Sequence, residues 1–243
     1  MKLTGVVVCL VCLAMPVATA GAGDVSFDGS LGLYSSYIWR GYRLSEDALQ
    51  VQPSATVGVD GFSLNIWADY DFDTEEWLEV DYTASYAHDL DAFGLEVGYT
   101  HFDVREGLDS DELYVSAGFD SFLNPSLTAF LDVNQGEGAF VVADISHPVE
   151  LTERTSLEFG ASVSLVVDNS YVATDANGSE FTGLFNGHLS AAGSIAVTDR
   201  LSIEPMVGYT FALSDDASDA IKAGSTEPED SFFYGAVTVS MSF

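Results

Sequence analysis

The chain is short of three things. It has two cysteines among 243 residues, Cys9 and Cys12, both at the extreme start. Beyond them there is no thiol, so neither a disulfide framework nor a thiolate metal site can form. It has seven Lys and Arg against 38 Asp and Glu, for a formal net charge of −31. Nucleic-acid binding needs basic side chains to replace counterions, and this balance argues against it. After the first 20 residues no apolar run approaches the roughly 18 residues of a spanning helix. Yet aromatics make up 12% of the chain. A disordered acidic chain would lack them, so a core or lipid must cover them.

The start has the form of an export signal. Lys2 is followed by an apolar stretch from Gly5 to Met15, then Pro16 and the small-x-small run Ala18-Thr19-Ala20. Cleavage is expected after Ala20, with Ala22 the second choice. Residues 1–20 are then a signal peptide and residues 21–243 one barrel domain. A lipoprotein signal does not fit, because Leu10-Val11 before Cys12 lacks the small residue expected there.

What fills the remainder is alternation with a period of two. At the end of the chain Phe233, Gly235, Val237, Val239, Met241 and Phe243 share one side. Tyr234, Ala236, Thr238, Ser240 and Ser242 share the other. Segments near 25–39, 48–60, 62–72, 77–89, 93–104, 111–121, 126–134, 139–148, 156–168, 183–198, 201–213 and 232–243 repeat the pattern. Tight turns, such as Val59-Asp60-Gly61 and Thr198-Asp199-Arg200, alternate with acidic connections that are longer on average: Gly41 to Asp47, Asp73 to Glu76, Arg105 to Ser110, Gln135 to Gly138, Asn169 to Thr182, and Ser214 to Asp230. Aromatics gather near segment ends, with Tyr37, Trp39, Tyr70, Phe72, Tyr99, Phe211 and Phe233 toward the longer loops. Phe27, Phe62, Tyr86, Phe93, Phe119 and Phe243 lie toward the turns. A secreted β-sandwich also alternates. The loop asymmetry and the two belts favour an all-β, transmembrane antiparallel β-barrel of about 12 strands, with both termini periplasmic.

The last ten residues, including Tyr234, Val239, Met241 and Phe243, resemble the C-terminal strand of bacterial outer-membrane proteins. That resemblance implies recognition by the barrel-insertion machinery and residence among outer-membrane lipid and lipopolysaccharide. Tyr37-Ile38-Trp39-Arg40-Gly41, Ser45, Gln52-Pro53, Gly61-Phe62 and Trp67 resemble the first hairpin of the TorF-like family of porins. The match covers about the first 50 residues after the signal, and it implies a porin without implying a solute.

Alternation assigns the polar face to the lumen. The expected pore-lining residues are Arg40, Asp69, Asp71, Glu79, Asp81, Glu96, Glu112, Asp132, Asp144, Glu158, Asp168 and Glu204. Asp28 lies on the same face. An acidic wall concentrates cations and repels anions. The expected role is passive diffusion of small, cationic or neutral solutes through a narrow lumen. A barrel packed with side chains is the competing expectation, acting structurally or adhesively through its acidic loops. Arg40 either pairs with facing carboxylates or positions a solute. No catalytic residue, cofactor or metal is expected. His88, His101, His147 and His188 have no metal-ligand spacing, and no Ser–His triad pattern marks an interfacial lipid enzyme. Asp175 to Glu180 resembles a calcium-loop fragment without the full spacing. Oligomeric state is not legible.

Overall fold

The computed structural model describes residues 25–243, apart from 47, 91, 92, 106, 176 and 177. The expected signal over residues 1–20 therefore lies outside the described residues, as do Asp91 and Ala92 of one tight turn.

Fourteen strands and one helix are described in order. They are β1 (Val25–Tyr34), β2 (Ile38–Trp39), β3 (Tyr42–Arg43), β4 (Gln50–Val59), β5 (Phe62–Asp71), β6 (Glu76–Leu90) and β7 (Phe93–Val104). Then come β8 (Ser110–Gly118), β9 (Ser126–Asp132), β10 (Ala139–Thr152), β11 (Thr155–Val167), β12 (Gly183–Ala196), β13 (Leu201–Ala212), α1 (Asp215–Gly224) and β14 (Ser231–Ser242). β2 and β3 form a separate two-stranded hairpin, and the other 12 strands make one closed antiparallel barrel. The strands are where alternation put them, because a half-apolar chain in lipid can satisfy its backbone only in a closed ladder.

Closure is made by β1 and β14, in register from Asp28 opposite Ser242 to Tyr34 opposite Ala236. At its foot Phe243 N donates to Phe27 O at 2.9 Å, and Phe27 N donates to Phe243 O at 3.2 Å. The two rings stand 6.2 Å apart, and the Arg200 guanidinium lies 5.5 Å from the Phe243 ring centre. Val239 and Met241 face outward on the same strand, whereas Tyr234 faces inward and hydrogen-bonds His188. The described ends of β1 and β14 share the tight-turn end with the Asp60-Gly61 turn. Asp60 and Gly61 both have positive φ (52° and 85°), the backbone of a two-residue hairpin turn.

Outside, large apolar side chains stay uncovered on every side: Leu31, Leu64, Val97, Val115, Leu127, Phe159, Leu189, Val207 and Val239 among them. A soluble surface does not carry so continuous an apolar band, and lipid is its natural cover. Leu189, midway along β12, is 50% exposed on this face. Leu189→Arg is expected to destabilise the barrel by about 2–4 kcal/mol, the cost of a basic residue at the bilayer midplane. Urea titration in lipid vesicles, read by heat-modifiable gel mobility, measures it.

The structure corrects two segments. The first alternating segment was expected to run to residue 39, but β1 ends at Tyr34. The chain then turns inward, so Tyr37 is buried at 2% exposure instead of joining the outer aromatic belt, and Trp39 packs inside with it. The Ser214 to Asp230 connection, expected as a loop, contains α1. Ser214 caps it by accepting from Ala217 N, with Asp215 and Asp216 in the first turn and Lys222 in the last.

Candidate functional site: the lumen and its inward hairpin

The lumen has two unlike walls. On β4 to β9, at the long-loop end, inward positions are polar and mostly acidic: Gln50, Gln52, Asp69, Asp71, Glu79, Asp81, Glu112 and Asp132 are all buried. Opposite them, β10 to β14 turn Phe140, Val142, Val166, Phe185, Met206, Phe232, Tyr234 and Ala236 inward. These apolar side chains form one cluster with Ile38 and Tyr42 of the hairpin, Val172, Ala173 and Phe181 of the 168–182 connection, and Ala217 and Ile221 of α1. Burial of apolar area in this cluster is what holds the three inserted pieces in the mouth.

The hairpin crosses between the walls. Arg40 and Gly41, both at positive φ (48° and 93°), make its turn. Gly41 sits so close to β12 that an added Cβ would stand 2.9 Å from the Asn186 Cβ. From this turn Arg40 reaches Glu112 on β8 with two charge-assisted bonds of 2.7 and 2.6 Å. The guanidinium also lies 4.9, 5.1 and 4.5 Å from the ring centres of Trp39, Phe130 and Phe140. A planar cation paired in bidentate fashion and faced by aromatic rings is held in orientation as well as in place. Tyr37 supports the same seat by donating from its hydroxyl to Glu79 Oε2 at 2.7 Å. Burial, and then the neighbouring Glu79 carboxylate, hold the Tyr37 phenol well above its ordinary pKa, so it remains a donor.

The carboxylates of the seat are unequally served. Asp71 accepts from Gln50, and from the backbone N–H groups of Asp73 and Thr74. Asp132 accepts from Ser110, Asn134 and Gln135. Asp69 accepts from Gln52 through Oδ1, but its Oδ2 is buried without a partner among the described residues. Both oxygens of Asp81 are buried and without a partner among the described residues. Asp69 stands directly opposite Glu79 across β5 and β6. Arg40 is the basic side chain set among these acids. The other described basic residues are engaged elsewhere: Arg43 with Glu227, Arg105 with Glu76, Arg154 with Asp199, Lys222 with Asp230, and Arg200 over Phe243.

Toward the tight-turn end, Glu96, Asp144, Glu158 and Glu204 are half-buried. Glu96 accepts from the Tyr114 hydroxyl, and Glu204 from Ser202 and Ser240. Two expected wall positions lie at the ends of the barrel. Asp28, at the foot of β1, is exposed. Asp168 follows the end of β11 at positive φ (46°) and is exposed, bonded to Thr182. The left-handed residue stops the alternation that would have turned it inward.

Among the described residues no three His, Cys, Asp or Glu side chains converge as a metal-holding group. The calcium-like segment lies partly outside the described residues; within it Asp175 accepts from Ser179 N. His101 is 2.9 Å from Asp111, and His147 is 2.7 Å from Phe122 O. Sequence reasoning missed the apolar lumen wall and the helix. The Ser214 cap and the apolar spacing of Ala217, Ala220 and Ile221 could have revealed the helix.

Two solved structures share this architecture. The chain is similar to the NanC porin at a TM-score of 0.54 and 13% identity, over 89% of this chain and 98% of that one. It is similar to the COG4313 outer membrane channel from Pseudomonas putida F1 at 0.51 and 11%, over 92% and 97%. The fold is that of a bacterial outer-membrane β-barrel. At such identities the likeness is one of fold. No family model matches the chain and no curated protein matches it by sequence, so the TorF-like resemblance of residues 37–67 gains no support there.

Proposed function

We propose that this barrel is a porin-like channel for passive diffusion of small solutes, and that it favours cations. The observation that carries the reading is the acidic seat around Arg40. Glu79, Asp81 and Glu112 surround one guanidinium with Asp69 beside Glu79, and Glu96, Asp144, Glu158 and Glu204 continue the acidic wall toward the turn end. A low-dielectric wall of one charge raises the local concentration of the opposite ion. The inward hairpin narrows the path at the loop end, as a constriction in a diffusion channel does.

In this reading residues 1–20 direct export and are removed, the tight-turn end is periplasmic, and the strand ending at Phe243 is recognised during insertion. On the same reading the role of the barrel is non-catalytic transport, and the Tyr37 to Gly41 run corresponds to the hairpin of TorF-like porins. One observation favours a second reading: the hairpin, α1 and the 168–182 connection share a packed apolar cluster across the mouth. A structural or adhesive barrel with acidic surface loops would have such a mouth.

Single-channel recording in planar bilayers, with a salt gradient, separates the two. Discrete conductance steps with a reversal potential on the cation side are expected. An absence of steps above background favours the structural barrel, and anion preference overturns the acidic-wall reading.

A further inference from the structure

The hairpin, the 168–182 connection and α1 do not close completely over the barrel. Between them lies an open cleft of about 480 Å³, the size of a small-molecule site. Three aromatic side chains line it: Trp39, Tyr42 and Tyr171. Trp39 stacks on Tyr42 with ring centres 6.1 Å apart and meets Tyr171 edge-on at 6.1 Å. Three carboxylates line it as well: Asp175, Asp216 and Asp219. No Lys, Arg or His is in the lining.

Asp216 and Asp219 are three residues apart on α1, exposed, and without an ion-pair partner among the described residues. Like charges at that spacing repel. The helix N-terminus explains Asp216 and leaves Asp219 uncompensated. The aromatic group already shows its affinity for positive charge, since the Arg40 guanidinium lies 4.9 Å from the Trp39 ring centre. Beneath the hairpin, the buried and unpartnered oxygens of Asp81 and Asp69 Oδ2 lie on the lumen wall. An acidic wall there faces an aromatic and aliphatic one.

We infer that the cleft binds an amphipathic organic cation, a quaternary or protonated amine carrying an apolar tail. The ammonium group would lie between the aromatic faces and the α1 carboxylates, where ring quadrupoles and acidic side chains act together. The tail would lie against the apolar side chains of the hairpin and α1. Inward of this position, the unpartnered oxygens of Asp81 and Asp69 continue the acidic wall. This names the solute class for the channel proposed above and rests on that reading for its physiological meaning, although binding at the cleft does not require conduction.

The test is calorimetric titration of the detergent-solubilised barrel with benzyltrimethylammonium, neutral benzyl alcohol and anionic benzenesulfonate. Saturable binding of the cation is expected, with the other two at least about tenfold weaker. The Asp216→Asn/Asp219→Asn double variant and, separately, Tyr171→Leu should each weaken the cation by about tenfold. Heat-modifiable mobility shows that each variant remains folded, and partition into micelles is common to all samples. Equal binding of the three probes, or unchanged cation binding in the double variant, overturns the proposal. So does absence of saturable cation binding to the unaltered barrel. Cation binding without cation preference in bilayers overturns the channel reading and leaves the site standing. Cation preference without discrimination at the cleft does the reverse.

Discussion

Arg40→Ala is expected to free the inward hairpin, raising single-channel conductance and moving the reversal potential further to the cation side. The side chain is 8% exposed and its partner Glu112 is 2% exposed. Removing one member of a buried, bidentate pair leaves the other as an uncompensated charge, a loss of about 3–5 kcal/mol. Here the loss falls on a seat that already holds Asp69, Glu79 and Asp81, and the contacts with Trp39, Phe130 and Phe140 go with it. The barrel wall does not depend on this pair, because its ladder closes through β1 and β14. Heat-modifiable mobility should therefore survive while the mouth loosens. Arg40→Ala combined with Glu112→Gln should recover part of the hairpin's stability, since the stranded charge is gone. Unchanged conductance and selectivity in Arg40→Ala would show that the pair neither closes the mouth nor sets the charge of the path.

The triple variant Asp69→Asn/Glu79→Gln/Asp81→Asn should abolish most of the cation preference. These three carboxyl groups and Glu112 are the acids set around Arg40, so whatever negative charge the seat carries beyond the ion pair resides in those three. With amides in their place, Arg40 and Glu112 nearly cancel, and the wall loses the field that favours cations. The reversal potential in a salt gradient should move close to zero, with conductance steps retained. The variant should not be less stable than the unaltered barrel: Asp81 forms no hydrogen bond with the described residues, and a buried charge without a partner is costly to keep. Retained cation preference would mean that selectivity resides in Glu96, Asp144, Glu158 and Glu204 nearer the turns, or in the mouth.

Legibility differed sharply between wall and filling. Strand positions, tight turns and the outward set around Val239, Met241 and Phe243 were plain in the alternation. So were most of the acids of the seat. The inward apolar set was not. In Phe232-Phe233 two neighbouring aromatics stand on opposite faces, one against the inserted hairpin and one against lipid. Alternation distinguishes faces only when they differ in polarity, and here both were apolar. Tyr37 and Trp39 deceived for a related reason: an aromatic near a strand end suits a membrane interface and a filled lumen equally well.

The sequence by itself determined the closed barrel of 12 strands, its lipid-facing surface and the sign of its inner wall. Those follow from local periodicity, which every strand carries in its own residues. Only the tertiary structure decided that residues 36–45 turn inward and that Arg40 meets Glu112, 72 positions away in the chain. It also brought Trp39, Tyr171 and Asp219 to one cleft. These are encounters between loops whose partners lie far apart in sequence. They are selected by shape and by unpaired charge inside a closed wall, and no local pattern records them.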